Sequence, residues 1–250
     1  MKQNLGHLFR RKFLLWQSRS YWRSLKGIHQ GRRGFVLGNG PSLKIEDLNR
    51  LTGEVSIASN KIYLAFDQTR WRPTYHTITD ELVMPKILNE LPKNFKATHS
   101  EENCMVFPRG MKVRVWKRLK RGVDIEFEGL PFSLDPAQGF YGGGTVTYQN
   151  LQLAVYLGLD PIYIIGCDHY YADEEESVVN RPLETKQNNN HFIKGYRKPG
   201  EIVNPAPIEV MNDAYETAAE FSRRSGVRII NATRGGYLES FPRVNLDEIL

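Results

Sequence analysis

The stretch "LQLAVYLGLDPIYIIGCD", residues 151–168, constrains this chain more than any other. Apolar residues at helical spacing run up to Gly158, and after a short turn "IYII" follows with no polar interruption. A strand that is apolar on both sides has no solvent face, so it belongs inside a sheet covered above and below. Similar runs recur as "GFVLG" (34–38), "VSIAS" (55–59), "TYHTIT" (74–79), "CMVF" (104–107) and "VRIIN" (227–231). Helical patterns over 42–51, about 83–91, 145–158 and 208–225 lie between several of them. Strands alternating with helices predict an α/β, Rossmann-like fold: a largely parallel sheet with helices on both faces. The 250 residues suffice for one such domain with an appended arm, and no internal repeat is visible.

Two segments interrupt the alternation. Residues 109–140, with "RGMKVRVWKRLKRG" at their start, read as an inserted subdomain, hairpin or lid. Residues 172–207 are poor in apolar side chains and rich in Asn, Gly and Pro. A loop this long inside a compact domain is usually functional or disordered. One histidine, two aromatics and its position after a strand favour an active-site lid.

Charge divides the chain at residue 33. Residues 1–33 carry nine basic and no acidic residues, although the whole chain is only +6. Residues 34–250 hold 25 basic against 28 acidic residues, so the basic character belongs to the arm. Within it Leu5, Leu8, Phe9, Phe13 and Trp16 follow helical spacing. A basic amphipathic helix suits an anionic membrane surface, and equally a stripe packed on the domain. No groove-reading motif accompanies the charge, so nucleic acid is not an expected partner. No apolar run reaches the length of a membrane span, and "FLLW" is too short for a signal peptide. Cys104 and Cys167, the two cysteines, build neither a disulfide scaffold nor a zinc site. The expected location is the cytoplasm, peripheral at the inner face of the membrane if the arm binds lipid.

Ligands of open parallel sheets bind beyond the carboxyl ends of the strands. "GNGPS", "SNKIY", "TDE" and "GCDHYY" each follow a predicted strand, and the loop holding His191 follows the last of them. In the first, Gly38 and Gly40 permit close backbone approach. Pro41 fits a first helical turn, and Ser42 suits a cap whose free N–H groups would favour an anion. The motif lacks the Lys-Ser/Thr of a phosphate loop, so a plain turn is the competing reading. Asn60 suits a base, a ribose or a sugar, and equally a turn. "YGGGTVTYQN" places Gly144 and Thr145 at a second helix start and a second candidate cradle. Asp80 and Asp168 are strand-end carboxylates able to hold a metal or a hydroxyl. Tyr170 and Tyr171 are donors for phosphate oxygens, and His191 is the best general base by type.

The ordered set "GNGPSL", "SNKIY", the glycine-rich helix start, "IYIIGCDHYY", "NHFIKGY" and "NATRGGYLESFP" resembles one superfamily. Over residues 26–250 it resembles bacterial proteins of the 6-hydroxymethylpterin diphosphokinase MptE-like group, common in surface-polysaccharide contexts. More distantly, by separate motifs, it is similar to the bacterial sialyltransferases that decorate lipooligosaccharide from a CMP-activated sugar. The latter resemblance implies a metal-free glycosyltransferase with nucleotide contacts from Gly38, Asn39, Gly40, Pro41, Ser42 and Asn60. It implies a donor-phosphate contact from Tyr170 and a general base in His191. The Thr-Ser-Gly of that family is replaced here by "GGGTVT". The diphosphokinase resemblance implies ATP and Mg²⁺, with Asp80 and Asp168 as metal-binding candidates, although "TDEL" lacks a second Asp. The implied partners are a nucleotide-sugar donor and a glycan or glycolipid acceptor. A non-catalytic nucleotide-sugar-binding protein of glycan assembly is the reading from another class.

Overall fold

The structure is a computed structural model that describes residues 20–78, 87, 90, 104–106, 114–115, 118–119, 127–172, 182–185 and 188–250. Strand β1 (Gly34–Leu37) lies third in a seven-stranded sheet ordered β11-β8-β1-β2-β3-β4-β5. Here β2 is Val55–Ser59, β3 is Tyr75–Ile78, β8 is Ile162–Ile165 and β11 is Ile229–Asn231. These five strands run parallel. Beyond β3, β4 (Cys104–Val106) and the edge strand β5 (Arg114–Val115) add on antiparallel, so part of the interruption at 109–140 extends the sheet. The expected α/β, largely parallel architecture is the one observed.

Successive residues of β1 point to opposite faces, and both faces are covered. Val36 joins Ile57, Ile162 and Ile164 in one apolar cluster, while Phe35 and Leu37 join Leu48, Ile62 and Ile165 in the other. Fully burying such side chains contributes roughly 1.5–3 kcal/mol each, so β1 and β8 are apolar apart from Tyr163, whereas β2 and β3 bury Ser56, His76 and Thr77 among them. The first cluster is closed by α2 (Val146–Tyr156) and α3 (Ile208–Ser225). The second is closed by the short helix α1 (Ile45–Arg50) and the C-terminal α4 (Leu246–Ile249).

Caps set the helix limits. Thr145 Oγ1 accepts from Thr147 N–H at 3.2 Å and opens α2, and Gly158 at φ +83° closes the turn after it. Gly226 at φ +77° closes α3 by donating to the Ser222 carbonyl. The helix predicted over 42–51 is shorter, beginning at Ile45 after Lys44 N–H donates to Asp47 Oδ2.

Residues 27–31 are fastened to the end of α2 by bonds from Gly27, His29 and Gly31 to the carbonyls of Tyr156, Leu157 and Gly158. Just before them, within a helical turn over residues 20–25, Trp22 is fully buried and its carbonyl accepts from Tyr156 OH at 2.6 Å. The stripe from Leu5 to Trp16 lies outside the described residues. Among the described residues no helix is long and apolar enough to cross a membrane.

Residues 182–203 include a small antiparallel pair, β9 (Leu183–Glu184) with β10 (Ile202–Val203). A second pair joins β6 (Arg118–Leu119) to β7 (Phe140–Tyr141). Leu119 and Tyr141 of the second pair, and Pro182 and Asn204 flanking the first, line one cleft.

Candidate functional site

The strand order reverses between β1 and β8: β1 continues to β2 and β3 on one side, and β8 to β11 on the other. At such a switch point the loops leaving the two strands diverge and open a crevice. Here the loops are "GNGPS" after β1 and "GCDHYY" after β8. A cleft of about 1120 Å³ lies above them. It is lined by Gly38, Asn39, Gly40, Asn60, Gly144, Thr145, Asp168, Tyr170, Tyr171 and His191, drawn from five separate segments. Pro41 and Ser42 lie outside its lining, and Asp80 lies outside the described residues.

The glycines of the opening motif face the chain itself. Gly38 N–H and Gly40 N–H donate to the carbonyls of Ile165 and Gly166. A Cβ on Gly38 would stand 2.2 Å from the Gly166 carbonyl oxygen, and one on Gly40 would stand 1.9 Å from Asp168 Oδ2. Ser42 does not cap α1. Its N–H donates to Asp168 Oδ1 at 3.2 Å and its hydroxyl to Oδ2 at 2.8 Å. The position at which an anion was expected from sequence is therefore held by the protein's own carboxylate. Burial raises the Asp168 pKa above the usual carboxylate range, and the Ser42 contacts pull against that rise.

At the end of β2, Asn60 takes the left-handed conformation, φ +51°. His76 Nε2 donates to its carbonyl at 2.7 Å, and burial pushes His76 down to about 4. Lys61 turns the other way. Its Nζ donates to the Tyr196 carbonyl at 2.6 Å and pairs with Glu201 Oε1 at 2.8 Å, both buried. The glycine-rich turn before α2 is bound by sterics: a Cβ on Gly144, at φ +69°, would stand 2.8 Å from Pro207.

The segment from Asn188 to Arg197 presents His191 face to face with Tyr196, ring centroids 3.8 Å apart. Asn188 Oδ1 lies 3.1 Å from His191 Nδ1, so an amide oxygen that only accepts assigns the proton to Nδ1 and a lone pair to Nε2. Burial lowers the His191 pKa to about 3, with Arg197 and Lys61 lowering it further and Glu201 opposing them. The ring is neutral at pH 7. Phe192 N–H donates to the Asn39 carbonyl at 3.1 Å and ties this segment to the first motif.

The loop after β8 carries the other side of the cleft. Tyr170 is half exposed, its ring 5.4 Å from that of the more exposed Tyr237, and Tyr237 N–H donates to the Asp168 carbonyl. Tyr171 OH contacts Met211 Sδ at 3.7 Å. His169, at φ +52°, is held by Asn212 Oδ1 2.6 Å from its Nε2. His169 and Gln149 line the cleft but were not singled out in the sequence. Gln149 lies in "YGGGTVTYQN" and signals nothing until the register of α2 is known, and His169 lies in the loop "GCDHYY", whose orientation only the fold sets. Arg234, also in a flagged motif, serves the fold through a two-pronged pair with Asp47 at 2.6 and 2.8 Å. Cys167 is buried, its thiol pushed up to about 12 by desolvation, and is not a nucleophile in this state.

No family model and no curated protein matches this chain. Among solved structures it is similar to the MAf glycosyltransferase from Magnetospirillum magneticum AMB-1, with a TM-score of 0.52 at 16% identity. The likeness covers 94% of this chain and 39% of that one, so the chain spans about two-fifths of its neighbour's length. At this identity the likeness defines a shared α/β fold.

Proposed function

We propose that the protein is a glycosyltransferase that moves a sugar from a nucleotide-activated, CMP-linked donor onto a surface glycan or glycolipid. The observation that carries the reading is the convergence of Gly38–Gly40, Asn60, Gly144, Thr145, Tyr170, Tyr171 and His191 on one cleft at the switch point. The fold shared with a glycosyltransferase supports it. In this reading His191 Nε2 takes the proton of the acceptor hydroxyl as that oxygen attacks the anomeric carbon. Its low basicity makes the neutral ring available but a weak proton acceptor. The negative donor bound nearby would offset Arg197 and raise it. Tyr170 and Tyr171 steady the departing phosphate, and the lid excludes water. The basic arm places the enzyme at an anionic membrane surface where a glycolipid acceptor resides.

The Mg²⁺-dependent diphosphokinase is not favoured by a specific observation. Asp168 would have to give up Ser42 to take a metal, and among the described residues no group of three His, Cys, Asp or Glu side chains is placed to hold one. The test is a thermal-shift panel of CMP, UMP, GMP and ATP, each with and without Mg²⁺, followed by transfer assays on the His191→Ala variant. Stabilisation by CMP without Mg²⁺ is expected. So is a turnover loss of about 10²–10⁴-fold in the variant, with donor affinity unchanged. Stabilisation by ATP alone and only with Mg²⁺, or full turnover in His191→Ala, would overturn the reading.

A further inference from the structure

Three buried amide oxygens on residues lining the cleft lack a donor. Asn39 Oδ1, Asn60 Oδ1 and Gln149 Oε1 find no hydrogen-bond partner among the described residues. The Asn39 amide is oriented by its Nδ2, which donates to the Ser59 carbonyl at 3.3 Å, an atom that can only accept. Asn39 and Asn60 leave adjacent strands, β1 and β2. Gln149 comes from the first turns of α2, which cross the sheet edge above them. Thr147 Oγ1 lies 3.7 Å from Cys167 Sγ beyond β8, and Asn150 Oδ1 accepts from Thr77 of β3 at 2.9 Å.

Gln152, one turn further along α2, shows a buried amide used for structure. Its Oε1 accepts from Ser133 N–H and Tyr141 N–H, and its Nε2 donates to the carbonyls of Tyr141 and Tyr148. Gln149 is nearly as buried, at 4% exposure, yet its oxygen has no such role. Buried acceptors are nearly always satisfied, and three left open around one cleft point to a ligand that donates. A phosphate at neutral pH offers almost only acceptors, and the Asp168 carboxylate beside Gly40 adds negative charge nearby. Such a lining repels the charged part of a nucleotide.

We infer that Asn39, Asn60 and Gln149 form a subsite for the uncharged, hydrogen-bond-donating part of the ligand, its base amine or ribose hydroxyls, with Gln149 determining specificity. The inference rests on the nucleotide-donor reading. It leaves the phosphate to donor side chains elsewhere in the cleft, Tyr170, Tyr171 and Arg197.

Calorimetric titrations of the whole protein with cytidine, uridine, adenosine, guanosine and their 5′-monophosphates test it, with inorganic phosphate as a competitor. Gln149→Met keeps the volume and removes the acceptor. Asn60→Gly removes the second amide at a backbone angle glycine accepts freely, and serves if the first variant misfolds. Each variant should weaken a nucleoside and its monophosphate by the same factor, about five- to tenfold, and leave competition by phosphate unchanged. A preference for cytidine over uridine would assign the contact to the base amine. A variant that weakens the ribonucleoside but not the corresponding 2′-deoxynucleoside, titrated alongside, would assign it to the ribose hydroxyl. A variant that weakens the monophosphate but not the nucleoside, or that changes neither, overturns the inference alone. A wild-type protein that binds none of these ligands overturns the nucleotide-donor reading and the inference with it.

Discussion

Lys61 and Glu201 form a buried ion pair, 2.8 Å apart, that joins the end of β2 to β10 beneath His191 and Tyr196. Desolvation makes such a pair a modest net stabiliser when whole and a costly one to halve. Lys61→Met leaves the Glu201 carboxylate buried without its partner. It should destabilise the protein by about 3–5 kcal/mol in urea unfolding. The His191 pKa should also rise from about 3, because Lys61 now lowers it and Glu201 opposes that effect. An unchanged His191 titration by NMR would show that the pair does not act on the histidine.

Gly40 should tolerate no side chain while Asp168 is present. Gly40→Ala pushes a methyl to 1.9 Å from Asp168 Oδ2, and overpacking of this kind costs about 1–3 kcal/mol. Asp168→Ala in the same molecule removes the obstructing atoms and should recover much of that cost. Denaturation of the two single variants and the double variant forms a cycle, and strict additivity would show that the two residues do not meet.

Acid should weaken the fold before most carboxylates titrate. His76 and His191 are neutral in the folded state down to about 4 and about 3, whereas an unfolded histidine takes up a proton near 6.5. Between those values the unfolded chain binds more protons, so stability falls as pH drops from 7 to 5. His76→Gln should flatten that slope even if it lowers stability overall. A slope identical to that of the wild type would contradict the assignment.

The arm should be removable only in part. Deleting residues 1–19 should leave thermal unfolding unchanged while weakening binding to anionic liposomes in a salt-sensitive manner. Deletion through residue 25 removes Trp22 and Leu25 from the core and should cost about 3–5 kcal/mol or more. A truncation at 19 that unfolds would place the stripe from Leu5 to Trp16 in the core instead.

The parallel core was legible because its strands had to be apolar on both faces, and α3 begins and ends where its pattern predicted. The meeting of the strand-end motifs "GNGPS", "SNKIY" and "GCDHYY" was legible too, since the switch-point rule depends only on strand order. What the motifs touch was not. Nothing in "GNGPS" announces that Gly38 faces Gly166 and Gly40 faces Asp168, far along the sequence, because close approach to a ligand and to one's own chain demand the same residue. Gln149 and Gln152 share a helix and a residue type. Only the register of α2 over the sheet turns one toward Tyr141 and leaves the other's oxygen unsatisfied.

The cleft takes its walls from residues between 38 and 60, from Leu119 and Pro131, from 141–149 and 166–171, and from residues between 182 and 217, so no contiguous fragment contains it. Affinity for any ligand of this cleft and global folding are therefore one equilibrium. Ligand at 100 times its dissociation constant should add about 2.7 kcal/mol to the unfolding of the whole domain, not to a local segment. Fragments split within α2 should bind nothing until they reassociate, and a rise in melting temperature then counts correctly assembled molecules in any preparation.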